Sequence, residues 1–206
     1  MQQYQESSLK ITYSNDVILS VDDMKRHLRV TGNDEDSLIE IYLKSAMRYV
    51  ENYTRLLLLE GTAQQVFTLP MMVSSTQFLI TGSTLINNQY LSLGIGNAIS
   101  VTSITCNTES DLTTQKAITS TYKLLANMNK PRIYVPDGLI FTDNVAPYQI
   151  TVSYTAGFAE CDIPNDIKVA TMLVCADMYE NRINSVKQLP TAAEILLSPY
   201  VVNQGV

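Results

Sequence analysis

The residues best suited to chemistry in this 206-residue chain are the carboxylates Asp162, Asp166, Asp177 and Glu180, gathered around one helical segment near the C-terminus. Asp166 and Asp177 fall about three turns apart on nearly one face. A carboxylate pair is what glycoside hydrolysis needs: one group protonates the leaving oxygen while the other attacks or activates water. The chain has no Trp, and only Tyr90, Tyr134, Tyr148 and Phe158 offer a loose aromatic platform for sugar. Solvated helix positions are the better account of these acids, and a carbohydrate-active enzyme or binding module is the minor alternative. His27 is the only histidine, which excludes a multi-histidine metal site or a triad built on another imidazole. It sits among basic residues on a helix and reads as structural.

Two further patterns dissolve on inspection. Asn33-Asp34-Glu35-Asp36 is acidic but lacks the alternating ligands and closing Glu of a calcium loop, and helix capping accounts for it. Gly94-Ile95-Gly96 is half of a dinucleotide fingerprint, flanked by strand-like runs, and reads as a turn. No catalytic residue, metal ligand or cofactor site is therefore expected. Cys106, Cys161 and Cys175 are odd in number and widely spaced, as expected of reduced thiols. Asn52-Tyr53-Thr54 matches a glycosylation sequon that a cytosolic protein would never have filled.

The elements that position these residues are two helical segments flanking strand-like sequence. Ser20 is a good cap for a short helix over Val21 to Leu28, with Asp22 and Asp23 where the helix dipole favours acids. After Val30-Thr31-Gly32, Asn33 or Asp34 is expected to cap a long helix. Its apolar stripe is Leu38, Ile39, Tyr42, Leu43, Ala46, Met47, Val50 and Tyr53. From Thr62 the pattern changes to short runs rich in Val, Ile, Phe, Thr and Tyr, broken by Pro70, Gly82, Asn87-Asn88, Gly94 and Gly96. Runs at 64–69, 77–80, 90–93, 99–105, 122–125, 132–135 and 149–154 predict antiparallel strands, with loops over 107–115 and 136–144. Gly157 ends the last strand. Asp162 is the expected cap of a helix with Pro164 in its first turn and Ile167, Ala170, Val174 and Met178 as its stripe. A linker over 184–190 leads to a short last helix, Thr191 to Leu197, which Pro199 ends.

The fold class expected is α+β: a small helical bundle made by the N- and C-terminal segments, with an inserted antiparallel β domain of sandwich or barrel type. Residues 1–61 supply an arm and helices, 62–156 the β insertion, and 157–206 the helices and tail that complete the bundle. Hydrophobic residues at 46% and charged residues at 17% suit a globular chain whose polar surface rests on Ser, Thr, Asn and Gln. A net charge of -6 and the lack of any basic run argue against gripping nucleic acid through phosphates. The N-terminus has no basic start and apolar core of a signal peptide, and no apolar run reaches the ~20 residues of a membrane helix. A cytoplasmic, non-membrane protein is expected.

The N-terminal wording, S-V-D-D-M-K-R-H-L-R-V followed by D-E-D-S-L-I-E-I-Y-L-K-S-A-M-R-Y-V-E-N-Y-T, and the C-terminal Y-T-A-G-F, I-P-N-D-I-K, Y-E-N-R and L-L-S-P-Y resemble the head–tail connector, or adaptor, proteins of long-tailed double-stranded DNA bacteriophages. The resemblance implies a non-enzymatic virion protein of the neck, between capsid and tail, assembled in the bacterial cytoplasm. It implies a twelvefold ring of this chain docked beneath the portal protein, with a stopper or tail-completion protein on the opposite face. Genomic DNA would pass through without sequence-specific binding. On this reading the C-terminal tail, through Leu189, Ile195, Leu196, Leu197, Tyr200 and Val201, grips the portal. Asp22, Asp23, Glu35 and Asp36 supply channel charge of the same sign as DNA. The helical core is Leu38, Tyr42, Ala46, Val50, Ile167, Ala170, Val174 and Met178. A tail-completion or lower neck protein is the alternative within the same class.

Overall fold

The computed structural model describes residues 5–13, 16–68, 90–108, 111–117, 121–126, 131–134, 147–182 and 191–202. The chain forms two compact units, a β unit drawn from 1–12 and 62–156 and a helical unit drawn from 13–61 and 157–206. In order, the elements are β1 (Gln5–Thr12), α1 (Val21–Leu28), α2 (Asp36–Thr54), β2 (Gly61–Thr68), β3 (Tyr90–Ser92), β4 (Ala98–Thr108), β5 (Asp111–Ala117), β6 (Lys123–Leu125), β7 (Arg132–Tyr134), β8 (Pro147–Ala156), α3 (Asn165–Glu180) and α4 (Thr191–Leu197). Short 3-10 turns span Glu160–Asp162 and Ser198–Tyr200. The class is α+β.

In the helical unit, Ile39, Leu43, Ala46, Met47 and Val50 make a buried stripe on α2. It joins Ile167, Ala170, Val174 and Cys175 of α3 in one apolar cluster, which Met24 of α1 and Ala193 and Leu197 of α4 complete. Recurrence every three to four residues is what puts these side chains on one face. Two threonines buried in the same helices satisfy their hydroxyls on the preceding turn, Thr54 donating to Val50 O at 2.8 Å and Thr171 to Ile167 O at 2.8 Å. Tyr42 and Met178 are half-buried against this core. Leu38 is corrected: it is half-buried and lies outside the cluster. It sits about 100° round α2 from Ile39, on the far side from Leu43 and Met47.

The helix starts also differ from expectation. Ser20 caps α1 in a full capping box: its hydroxyl accepts from Asp23 N at 3.1 Å, and the Asp23 carboxylate reaches back to Ser20. Neither Asn33 nor Asp34 caps α2; the cap position is Glu35, without a side-chain bond, because the Asn33 amide oxygen is taken by Lys25 Nζ at 2.8 Å. Asp162 does not cap α3 either. It closes the 3-10 turn by donating its N–H to Ala159 O, and Pro164 is the cap residue.

The segment after α2 is fixed by a buried acid. Glu51, 4% exposed, accepts the Leu58 N–H at 2.9 Å and the Arg48 guanidinium at 2.6 Å, while Arg48 stacks on the Tyr13 ring at 3.6 Å. Burial pushes the Glu51 carboxyl above its ordinary range, against the pull of these donors. Leu56, Leu57 and Leu58 can then be buried immediately after the helix without leaving that N–H unpaired.

The β unit holds a five-stranded sheet in the order β1-β2-β8-β4-β5 and a three-stranded sheet in the order β3-β7-β6. Placing the N-terminal arm in the helical module is corrected for 5–12, since Gln5–Thr12 pairs antiparallel with β2, Leu9 opposite Gln65 and Ile11 opposite Ala63. The polar alternation of Ser8, Lys10 and Thr12 with Leu9 and Ile11 is a strand pattern with one half-buried face. The loop expected over 107–115 is likewise corrected: β4 runs to Thr108 and β5 starts at Asp111. On β8, Ile150, Val152, Tyr154 and Ala156 are all fully buried at alternate positions, the inward face of an antiparallel strand. The Gly94-Ile95-Gly96 turn is buried and held by side chains. Gln65 Oε1 accepts Gly94 N at 2.8 Å, and the Tyr154 hydroxyl accepts Ile95 N at 3.3 Å. The expected run at 77–80 and the loop over 136–144 lie outside the described residues.

Candidate functional site

The four acids expected to charge a channel all lie in the helical unit. Asp22 is exposed. Asp23 is held below the usual carboxylate range, first by the Ser20 hydroxyl and then by its backbone N–H. Asp36 pairs with Lys25 at 2.8 Å, which ties the start of α2 to α1. Glu35 accepts from the Tyr179 hydroxyl and from Arg182 Nη2 at 2.8 Å. These two donors, Tyr179 first, lower the Glu35 carboxyl, while the bond to Glu35 raises the Tyr179 phenol against the opposing pull of Arg182. The Tyr179 ring meets Tyr42 edge-on at 6.5 Å between centroids, with the Arg182 guanidinium 4.7 Å above it. Because Glu35 precedes α2 and Tyr179 ends α3, this cluster joins opposite helix ends and sets the two helices antiparallel. Sequence reasoning assigned Glu35 to capping and missed the cluster. The Y-E-N-R wording marked its far half, but nothing local pairs Tyr179 with a residue so distant in sequence.

The C-terminal tail is divided between core and surface. Ala193 and Leu197 are fully buried, and Leu196 and Tyr200 are half-buried against the same core. Val202 donates its N–H to Thr54 O at 2.9 Å, pinning the chain to the end of α2. The Tyr200 hydroxyl donates to Asp166 at 3.3 Å; burial and the nearby carboxylate raise that phenol above its ordinary value. Leu197 is therefore corrected from grip to core residue: a side chain spent on its own fold has no surface to offer. Ile195 is 66% exposed and Val201 half-buried. Leu189 lies outside the described residues.

No described arrangement resembles an active site. Asp166 is engaged by Tyr200, and Asp177 accepts from the Asn181 amide at 2.8 Å. On one helix their spacing is about 16 Å, beyond the separation of roughly 5–9.5 Å over which paired carboxylates hydrolyse a glycoside. His27 is exposed, and no metal-holding group of His, Cys, Asp or Glu occurs among the described residues. A cleft of about 630 Å³ in the helical unit is lined by Asp16, Glu40, Glu60 and Glu160 around Val17, Leu59 and Phe158, with Lys44 bonded to Glu40 at 2.7 Å. It offers no nucleophile with an adjacent base. No described helix is long and apolar enough to cross a membrane.

A second apolar face on α3 escaped the sequence reading. Val169 is 44% exposed, and Met172, Leu173 and Ala176 are half-buried beside it at the i, i+3, i+4, i+7 spacing of a packing stripe. The stripe was legible in the run I-K-V-A-T-M-L-V-C-A, which is apolar nearly all round and so calls for a partner on both sides.

Residues 18–89, which include α1, α2 and β2, match the family model described as phage gp6-like head-tail connector protein. Over that span the chain is similar to the head–tail connector family. Three solved structures are similar along almost the whole chain. A chain in the neck of an empty gene transfer agent particle, computed with sixfold symmetry, aligns with a TM-score of 0.72 at 19% identity, covering 97% of each chain. One in the neck of the native particle, computed with twelvefold symmetry, gives 0.67 at 19% identity over 96% of this chain and 97% of that one. One in the native gene transfer agent virion gives 0.67 at 22% identity over 95% and 97%. At such identities the likeness is one of fold, and it extends through both units. No curated protein matches in sequence.

Proposed function

We propose that this chain is a structural head-to-tail adaptor of a virion neck, forming a ring below the portal. The observation that carries the reading is the coincidence of the connector-family match with whole-chain fold similarity to neck subunits of symmetric particles. The ring would continue the DNA channel, bind the portal on one face and receive a stopper or tail-completion protein on the other. The number of subunits proposed is twelve. Assembly would take place in the host cytoplasm before heads and tails join. The protein carries out no catalysis on this reading; its work is positional, and a rigid helical unit suits it.

The exposed part of the tail, Ile195 with the half-buried Leu196, Tyr200 and Val201, is the proposed portal contact. A short helix with one face on its own core and one apolar residue outward is a usable groove-binding element. Asp22 is the best of the four acids for a channel wall, because the other three are held in local bonds. Co-sedimentation of the purified chain with the portal of the same phage tests the adaptor role. Migration in fixed stoichiometry, lost on Ile195→Asp, which leaves the core residues Ala193 and Leu197 in place, supports it. No association with an intact portal would move the chain to a lower neck position.

A further inference from the structure

The cleft of about 630 Å³ in the helical unit has a repeated composition. Three separate stretches of chain line it, and each supplies an apolar side chain together with an acid: Asp16 with Val17 ahead of α1, Leu59 with Glu60 after α2, and Phe158 with Glu160 after β8. Val17, Leu59 and Phe158 are half-buried against the helical core and make a floor, while Asp16, Glu60 and Glu160 are exposed and make a rim. The floor is held in place. Gly157, next to Phe158, leaves no room even for a Cβ against the Leu59–Glu60 backbone, and the Leu58 N–H is bonded to Glu51.

The charge of the cleft is net negative. On the α2 wall Glu40 and Lys44 bond to each other at 2.7 Å and cancel, and Arg48, one turn further on, is bonded to the buried Glu51. The carboxylates of Glu60 and Glu160 have no hydrogen bond or ion pair among the described residues. A second hollow of about 190 Å³, lined by Asp16, Lys44, Met47 and Arg48, shares Asp16 and Lys44 with the first. The two together form an elongated trough, which suits an extended chain better than a compact ligand.

We propose that this trough docks an extended segment of a partner protein in which lysine or arginine alternates with aliphatic or aromatic side chains. The apolar side chains of that segment rest on Val17, Leu59 and Phe158, and its cations reach the rim acids Asp16, Glu60 and Glu160. Alternation is what an extended backbone provides, since successive side chains point to opposite sides. Opposite charge along the rim sets the register and speeds encounter, while the apolar floor supplies the desolvated centre of the contact. A floor fixed beforehand has little ordering left to do on binding. The inference concerns the helical unit alone and does not depend on the ring.

The test titrates a fluorescein-labelled hexapeptide alternating lysine with leucine against the full chain and follows fluorescence anisotropy. Saturable binding is expected, weakened about tenfold or more by Glu60→Gln with Glu160→Gln, and by a similar factor when serine replaces leucine in the peptide. Glu180→Gln with Glu194→Gln removes the same charge from exposed positions outside the trough and should leave binding unchanged. All four acids are exposed, and unchanged far-UV circular dichroism shows that the fold has survived. No saturation below about 1 mM would overturn the proposal. Equal weakening by the two pairs of variants would overturn it by reducing the binding to general attraction towards an acidic chain. Equal binding of the lysine–serine peptide would overturn it by showing that the floor takes no part. Displacement by equimolar spermidine would overturn it by making the trough a site for small polycations. Anisotropy that rises and then falls at high chain concentration would overturn it by showing that a second copy fills the trough.

Discussion

Gly157, the glycine of the Y-T-A-G-F wording, is where a single methyl group should do most harm. Its φ is +136°, and a Cβ built there would lie 2.4 Å from Leu59 O, 2.5 Å from Glu60 Cα and 2.6 Å from Glu60 N. All three are backbone atoms of the segment fixed by Glu51, so no side-chain rotation relieves the overlap. Gly157→Ala therefore combines a backbone conformation costing roughly 1–3 kcal/mol for a non-glycine residue with overpacking of about 1–3 kcal/mol. The expected loss is about 2–6 kcal/mol, a large fraction of the whole stability of a domain. Gly32→Ala is the internal control. Its φ is +91° but nothing lies within 4 Å of the added Cβ, so only the conformational part applies. Urea unfolding followed by circular dichroism at 222 nm reads the helical unit. Gly157→Ala should lower the midpoint well beyond Gly32→Ala. Equal effects from the two variants would refute the close-approach argument.

Leu43→Ala, at a fully buried position of the α2 stripe, should cost about 2–5 kcal/mol in the same unfolding assay; a loss below half a kcal/mol would contradict the assigned core. Glu51 and Glu35 should respond to pH with opposite signs. Because the Glu51 pKa is raised above its ordinary 4.5, its favourable contribution is present in acid and fades as pH rises, so Glu51→Gln should gain stability relative to the parent between pH 4 and 7. The Glu35 pKa is lowered, so its contribution is present above 4.5 and lost as pH falls; the deficit of Glu35→Gln should shrink in acid. Parallel pH curves for both variants would contradict these assignments. With a thiol reagent under native conditions Cys161 should react promptly. Buried Cys106 and Cys175, the latter with its thiol pushed up to about 11, should wait for unfolding.

Local periodicity made the helical unit legible. The stripe from Ile39 to Val50 and that from Ile167 to Val174 have the right spacing and little polar interruption, and Ser20 with Asp23 forms a cap that only adjacent residues determine. The misreadings arise where a distant partner decides. Asn33 was free to cap α2 until Lys25 claimed its oxygen, and Gln5–Thr12 is a strand because β2 offers it an edge. Leu197 reads as a spare apolar residue in a terminal segment, but α3 and α2 supply a core for it. The acids show the same limit: the family resemblance implied one shared role for them, while Ser20, Lys25, Tyr179 and Arg182 engage Asp23, Asp36 and Glu35.

The most direct test of the adaptor account is symmetry-resolved electron cryomicroscopy of the neck in particles assembled with a tagged copy of this chain. The account predicts one closed ring of twelve tagged subunits between portal and tail. Particles in which the tag is absent from the neck, or marks a component that touches no second copy of itself, would contradict it.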